Sequence, residues 1–382
     1  MKILFFKNNS TCEPDVIIAL EDLGHTVDVA EIEKEKNGIV ERVNQTEYDA
    51  LFSIGFSAIL AEAAEYCRIR YISWTINSMN IELFSDVVKS KWNRIFIFDK
   101  AECERFEEYN PGKVFHMPLA ANVKRLDELF LSLGGQKKFN DDISFVGSLY
   151  NEKNPISKMK NLSESYVGGF LRASCDIQSR LYGGFVLEDI LSEDIIDEIK
   201  NNIEDFYTPP ETIAIEDSYL IASLYLAPWA TTIERERIAE MLYKNFRFGL
   251  YTRSPLSHLA LSGKGAVNTM TEMPQVFRNS VINLNLTHKG IRSGIPLRVF
   301  DIMGAGGFML TGYQPELFDL FVPGEDFDYF TSDEELLIKC RYYMNRKNEA
   351  KEIAMNAYEK VKAEHTYQHR LDEVIKLAFE SV

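Results

Sequence analysis

The chain has 382 residues, 46% of them hydrophobic and 12% aromatic, with a formal net charge of −16. At roughly 100–200 residues per domain this length suits two or three domains, and the composition excludes a disordered chain. The acidic excess is spread along the sequence and repels phosphate backbones, which argues against general nucleic-acid binding but leaves room for a local basic pocket.

Residues 2–6 (KILFF) read as a first buried strand, because Lys7-Asn8-Asn9 ends the apolar run too early for a secretory signal. A helix over 15–23 stops at Gly24, and a strand follows at 26–30. Further strands are expected at 49–54, 70–74, 94–98 and 114–117, with helices at 57–66 and 101–109 between them. Strands alternating with helices build βαβ units and a parallel sheet, so residues 1–118 form a Rossmann-like domain. A connector spans 119–135 and ends at Gly134-Gly135.

A second strand series opens at 142–146, running into Gly147-Ser148, and resumes at 247–251, 281–286 and 308–310. Between them, 155–245 reads as a helical insertion without a motif that carries chemistry. Helices are expected at 274–279 and 296–304, and three charge-rich helices over 333–382. The fold class is therefore α/β, two Rossmann-like domains facing across a cleft. The second covers 136–365, and the C-terminal helix 366–382 returns to the first.

No apolar run reaches the ~18 residues of a membrane span, although peripheral membrane contact is left open. Cys12, Cys67, Cys103, Cys175 and Cys340 are odd in number and form no CxxC pair, so neither a disulfide framework nor a zinc site is expected. They read as thiols in a reducing cytoplasm.

The segment 281–312 (VINLNLTHKGIRSGIPLRVFDIMGAGGFMLTG) reads strand, loop, short helix, Gly-rich turn, strand. Its loop gathers His288, Lys289 and Arg292 beside Gly290 and Gly294, and the helix from Pro296 presents its N-terminus to the same space. Cations with a helix N-terminus make an anion site. Arg298 and Asp301 share one helical face and would offer a cation for phosphates and a carboxylate for ribose hydroxyls. The plainer alternative is a surface ion pair followed by a helix stop.

The run GIPLRVFDIMGAGGFMLTG resembles the nucleotide-sugar segment of GT-B glycosyltransferases, closest to the group similar to the spore maturation protein CgeB. The resemblance implies that Asp301 binds the donor ribose and that Arg298 faces the diphosphate, with Ile295 and Pro296 at the helix entrance. A glutamate usual in relatives is Ser293 here, which puts sugar-hydroxyl contacts at that place in doubt. Ser144–Tyr150 resembles the strand and turn opening the donor domain. There Gly147 approaches the donor, Ser148 replaces an arginine and Lys153 keeps a lysine. Met273-Pro274 resembles the segment beside the nucleobase, 114–122 the domain linker, and Glu364–Arg370 the C-terminal signature. The resemblance covers 1–150 and 245–382.

Trp74, Asn77 and Asn80 follow a strand end, where ligands bind in such sheets, and are candidates for the acceptor side; Trp74 equally suits the core. His365 and His369 lie i, i+4 and read as capping or packing residues rather than metal ligands. Asp141-Asp142 and Asp326-Phe327-Asp328 read as solvated loop charges.

The expected activity is transfer of a sugar from a nucleoside diphosphate donor, UDP favoured, to a protein, glycan or cell-surface polymer. Arg298, Lys289 and His288 would stabilise the leaving group, with no metal or other cofactor. The alternatives are a non-catalytic nucleotide-sugar or small-ligand binding protein and a nucleotide-sugar epimerase of the same architecture.

Overall fold

The computed structural model describes residues 1–32, 38–135 and 138–380. The chain divides into two compact units, one of residues 1–122, 209–215 and 364–382, the other of 123–208 and 216–363.

The first unit holds six strands: β1 (Lys2–Lys7), β2 (Thr26–Glu31), β3 (Ala50–Ile54), β4 (Arg70–Thr75), β5 (Asn93–Ile97) and β6 (Val114–His116). They form one parallel sheet in the order β2-β1-β3-β4-β5-β6. The apolar runs read as strands are central in it. Ile3 to Phe6 and Ala50 to Phe52 have no exposed surface, as two-sided burial of a parallel strand requires. The last helix, Tyr367–Phe379, belongs to this unit and starts at a capping box of Thr366 and His369. His365 is buried, its Nδ1 2.7 Å from the Arg370 guanidinium.

The second unit holds β7 (Ile143–Val146), β8 (Phe248–Tyr251), β9 (Ile282–Asn285), β10 (Met309–Gly312) and β11 (Asp328–Phe330), parallel in the order β11-β10-β9-β7-β8. Within the stretch read as a connector, Val123–Ser132 is a helix of this unit. Between β7 and β8 the insertion folds as helices Tyr166–Arg180, Glu193–Asn202 and Asp217–Ile221. A π turn, Ala222–Leu226, then leads into the long helix Ala227–Asn245. These helices build a core of their own around Leu171, Cys175, Ile199 and Leu226.

Two readings need correction. Asp141 is not a solvated loop charge: it is fully buried and accepts hydrogen bonds from the Tyr251 hydroxyl at 2.6 Å and from Lys264. Asp326 is buried on Lys360 at 3.0 Å, and Asp328 opens β11, where it takes Lys339 and the Tyr343 hydroxyl at 2.8 Å each. Each carboxylate is neutralised by partners distant in sequence, which is what permits burial.

Candidate functional site: the β7–β9 crevice of the second unit

The chain runs from β7 outward to β8 and then returns to β9 on the other side of β7, so the order of the sheet reverses between β7 and β9. In open parallel sheets ligands bind outside the carboxyl ends of the strands at such a reversal. Here those ends carry Gly147-Ser148 and Leu286-Thr287-His288.

Helix Ala227–Asn245 supports this crevice with one face. Ala227, Thr231, Glu234 and Arg235 stand at i, i+4, i+7 and i+8, one stripe of an α-helix. Thr231 Oγ1 accepts the Lys289 N–H at 2.9 Å. Glu234, 1% exposed, pairs with the Lys289 ammonium at 2.9 Å. Arg235 donates to the Ser148 carbonyl at 2.6 Å and to the Leu286 carbonyl, so its guanidinium bridges the ends of β7 and β9. It is 8% exposed and lies 5.0 Å from the Tyr150 ring centroid, with no carboxylate at ion-pair distance among the described residues. Desolvation lowers its pKa, yet a guanidinium keeps its proton at any working pH.

His288 packs against Tyr150 with 4.5 Å between ring centroids. Burial first, and then the charges of Arg235, Lys153 and Lys289, hold its imidazole down at about 3, so it is neutral. Nδ1 accepts the Gly290 N–H at 3.0 Å, which leaves the proton on Nε2; that atom is buried without a hydrogen-bond partner. The loop needs glycine at 290, because a Cβ there would stand 2.8 Å from the His288 ring and 3.4 Å from Ala227. Lys153 is exposed, its ammonium 5.1 Å from the Tyr150 ring. Ser148 donates to Glu152 at 2.6 Å, and a Cβ on Gly147 would lie 3.2 Å from Phe145.

The two other loop cations are held differently from expectation. Lys289 is buried, bound to Glu234 and the Leu181 carbonyl, so its charge is neutralised where it stands. Arg292 lies 3.4 Å from the Phe185 ring centroid and pairs with Glu188 at 3.0 Å, which ties the loop to the insertion. Ser293 donates to Glu316 at 2.5 Å, Gly294 accepts from Gln314, and Ile295 is core. Pro296 caps helix Leu297–Gly304, on which Arg298 and Asp301 pair at 3.1 Å, about a quarter exposed. Arg298 also touches the Met273 sulfur at the start of helix Met273–Asn279, where Pro274 fills the first turn. Its charge is felt at Arg235. Gly307 is obligatory: a Cβ there would meet the Phe277 carbonyl oxygen at 2.7 Å.

Residues 235–376 match the family model described as glycosyl transferase-like. No curated protein matches the sequence significantly. Among solved structures, a glycosyltransferase from Rickettsia africae is 10% identical, with TM-score 0.51 over 100% of this chain and 99% of that one. Anabaena HepE, solved in complex with UDP and glucose, is 11% identical, with TM-score 0.50 over 98% of this chain and 99% of that one. Sucrose-phosphate synthase from Thermosynechococcus elongatus is 9% identical, with TM-score 0.51 over 99% and 98%. The chain has the GT-B fold and carries a glycosyl transferase-like domain.

In the first unit, Trp74 is core rather than acceptor-facing. It has no exposed surface, donates to the Met117 carbonyl at 3.2 Å and meets Tyr367 edge-on. Asn80 caps the turn Ile81–Phe84 and holds the Phe56 carbonyl at 3.0 Å, whereas Asn77 is exposed. No described helix is long and apolar enough to cross a membrane, and no described cluster of three His, Cys, Asp or Glu could hold a metal ion. The sequence reading missed Thr231, Glu234 and Arg235. The available signal was a pair of charged residues facing inward on a helix that is otherwise Ala, Thr, Ile and Leu on that side.

Proposed function

We propose that the second unit binds a nucleoside diphosphate sugar, UDP favoured, at the carboxyl ends of β7 and β9, and that the protein transfers the sugar to a protein, glycan or cell-surface polymer. The observation that carries this reading is a buried cation at the sheet reversal. Arg235 has no carboxylate at ion-pair distance among the described residues, Lys153 and the Arg298–Asp301 pair are near, and the His288 Nε2–H is unspent. A buried charge without a counterion is costly and is retained where a ligand supplies one. As the sugar leaves, charge grows on the diphosphate, and fixed donors there stabilise it most. Asp301 takes the ribose hydroxyls and Met273-Pro274 the base. The reaction then needs no divalent metal.

The first unit supplies the acceptor side. Arg298 and the run that contains it favour the CgeB-like group, and the free cysteines suit a cytoplasmic setting. Titration calorimetry with UDP, GDP and dTDP tests the donor site. At least one binds, UDP tightest, and Arg235→Met weakens that binding about tenfold or more, the equivalent of roughly 1.4 kcal/mol. No binding of any of the three at millimolar concentration overturns the reading. Turnover persists in EDTA; loss in EDTA with recovery on adding Mn²⁺ or Mg²⁺ overturns the metal-independent step.

A further inference from the structure

The first unit gathers cations of its own, at the end of its sheet where the strands begin. Arg70 opens β4, Arg94 lies near the start of β5, and Lys113 immediately precedes β6. The register sets them in a row. Tyr71 pairs with Asn93, and Ile95 with Val114, so Arg70 stands beside Trp92 and Arg94 beside Lys113. Arg94 pairs with Ile72, two residues after Arg70, which puts Arg70 and Arg94 on the same face. Just before the row, exposed Arg68 ends helix Ala58–Cys67 in the left-handed region, at φ 56°.

These cations are not spent alike. Arg94 is buried and donates to the Ala378, Lys91 and Asn93 carbonyls at 3.2, 3.0 and 2.7 Å, so it closes the end of the last helix. Arg70 makes no hydrogen bond or ion pair among the described residues; its guanidinium carbon lies 4.5 Å from the Phe379 ring centroid. Its Nε is buried, but the terminal nitrogens are neither bonded nor buried and keep their N–H donors. A guanidinium held over a ring is fixed without spending those donors, and its planar fork matches phosphate oxygens. The Lys113 ammonium is also unpaired among the described residues. Burial first, and then Arg94 and Arg70, lower its pKa, with no carboxylate opposing them.

Arg68 and Arg70 line a surface cavity of about 490 Å³, a size that suits a small organic ligand. Tyr48, Trp92 and Phe379 give it aromatic walls, and Glu47 and Asp49 line the rest. Asp49 already accepts the Lys2 backbone N–H at 2.7 Å. The cavity thus joins unspent guanidinium donors to rings and to a carboxylate that accepts from hydroxyls. A phosphate monoester, carrying roughly −1.5 to −2 charges and three acceptor oxygens, serves both arginines better than a singly charged carboxylate.

We propose that this cavity binds a phosphate monoester, with Arg70 and Arg68 on the phosphate, Arg94 and Lys113 adding positive field, and Glu47 accepting from a hydroxyl of the esterified group. The site lies wholly in the first unit and is independent of the donor crevice. The ester is either a free phosphorylated polyol or the headgroup of a lipid.

The test titrates the full chain with inorganic phosphate and glycerol 3-phosphate, and measures co-sedimentation with phosphatidylcholine vesicles with and without phosphatidic acid. Glycerol 3-phosphate binds more tightly than inorganic phosphate. Arg70→Met, which keeps the packing on Phe379, weakens that binding about tenfold or more, the equivalent of roughly 1.4 kcal/mol, and leaves UDP binding unchanged. Arg68→Asn suits the left-handed backbone, melts like the wild type and weakens the ester in the same direction. Lys113→Met weakens it less, and that loss fades at high salt. Arg235→Met leaves it unchanged. Retention by phosphatidic acid vesicles alone assigns the ester to a lipid, and binding of glycerol 3-phosphate alone assigns it to a free metabolite; either supports the site if Arg70→Met removes it. No binding of any probe at millimolar concentration overturns the proposal, as does binding that survives both Arg70→Met and Arg68→Asn. Binding lost in Arg235→Met and kept in Arg70→Met belongs to the donor crevice and overturns it too.

Discussion

At the scale of single residues, Arg298 and Asp301 form an ion pair at 3.1 Å, the geometry that an idle surface pair and a donor site would share. Kinetics separate the two. Charge on the diphosphate grows in the transition state, so Arg298→Ala lowers kcat about 10²–10³-fold if Arg298 faces it. Ribose hydroxyls do not change charge, so Asp301→Ala raises the donor KM and leaves kcat close to normal. An idle pair is worth only ~0–1 kcal/mol and moves neither constant. Near-normal turnover and donor affinity in a folded Arg298→Ala protein would place the diphosphate elsewhere. Arg235 answers a question that Ser148 raises. Where the resemblance expects an arginine on the β7 turn, Ser148 stands, and a guanidinium reaches the same turn from helix Ala227–Asn245 and donates to the Ser148 carbonyl at 2.6 Å.

At the scale of elements, that helix and the loop after β9 act as one support. The loop leans on Thr231 and Glu234, and Gly290 passes Ala227 with no room for a side chain. Gly290→Ala is therefore expected to displace the His288 ring and abolish measurable nucleotide binding, while the circular dichroism of the protein stays native. Unchanged binding in this variant would show that the loop tolerates a shift and that His288 does not matter. The strands were legible in the sequence because strands of a parallel sheet are buried on both faces and read as apolar runs. β11 was not, because Asp328 and Tyr329 hide it beside a charge whose partners, the Lys339 ammonium and the Tyr343 hydroxyl, lie farther along the chain. The site was half legible. Local composition marked the loop and helix over 287–304. The supporting face of Ala227–Asn245 was hidden because the inward-facing Glu234 and Arg235 stand in one charged run with the half-buried Glu236 and Arg237. Lys289 and Arg292 were visible as cations, but their carboxylate partners, Glu234 and Glu188, are distant in sequence.

At the scale of the whole molecule, a chain of net charge −16 keeps a cationic crevice, and His288 reports that crevice through stability. Its folded pKa, about 3, lies below the ordinary 6.5, chiefly through burial and then through Arg235, Lys153 and Lys289. Below pH 6.5 the unfolded chain takes up a proton that the folded one refuses until about pH 3. The full stability is therefore present above pH 6.5 and is lost as pH falls through that window, by up to about 1.4 kcal/mol per pH unit. His288→Gln removes the titration, so its melting temperature falls less than that of the wild type between pH 6.5 and pH 5. The gap grows by up to about 2 kcal/mol, or roughly 4–8 °C for a unit of this size. Carboxylates titrate mainly below that range and act alike in both proteins, so the difference isolates the imidazole. Parallel melting curves across the window would mean that His288 is solvated and protonates like a free histidine, and the neutral Nε2–H donor assigned to it would be lost. A saturating nucleotide diphosphate adds a second reading. Its negative charge beside His288 raises the folded pKa and flattens the acid slope of the wild-type protein alone, with His288→Gln unaffected.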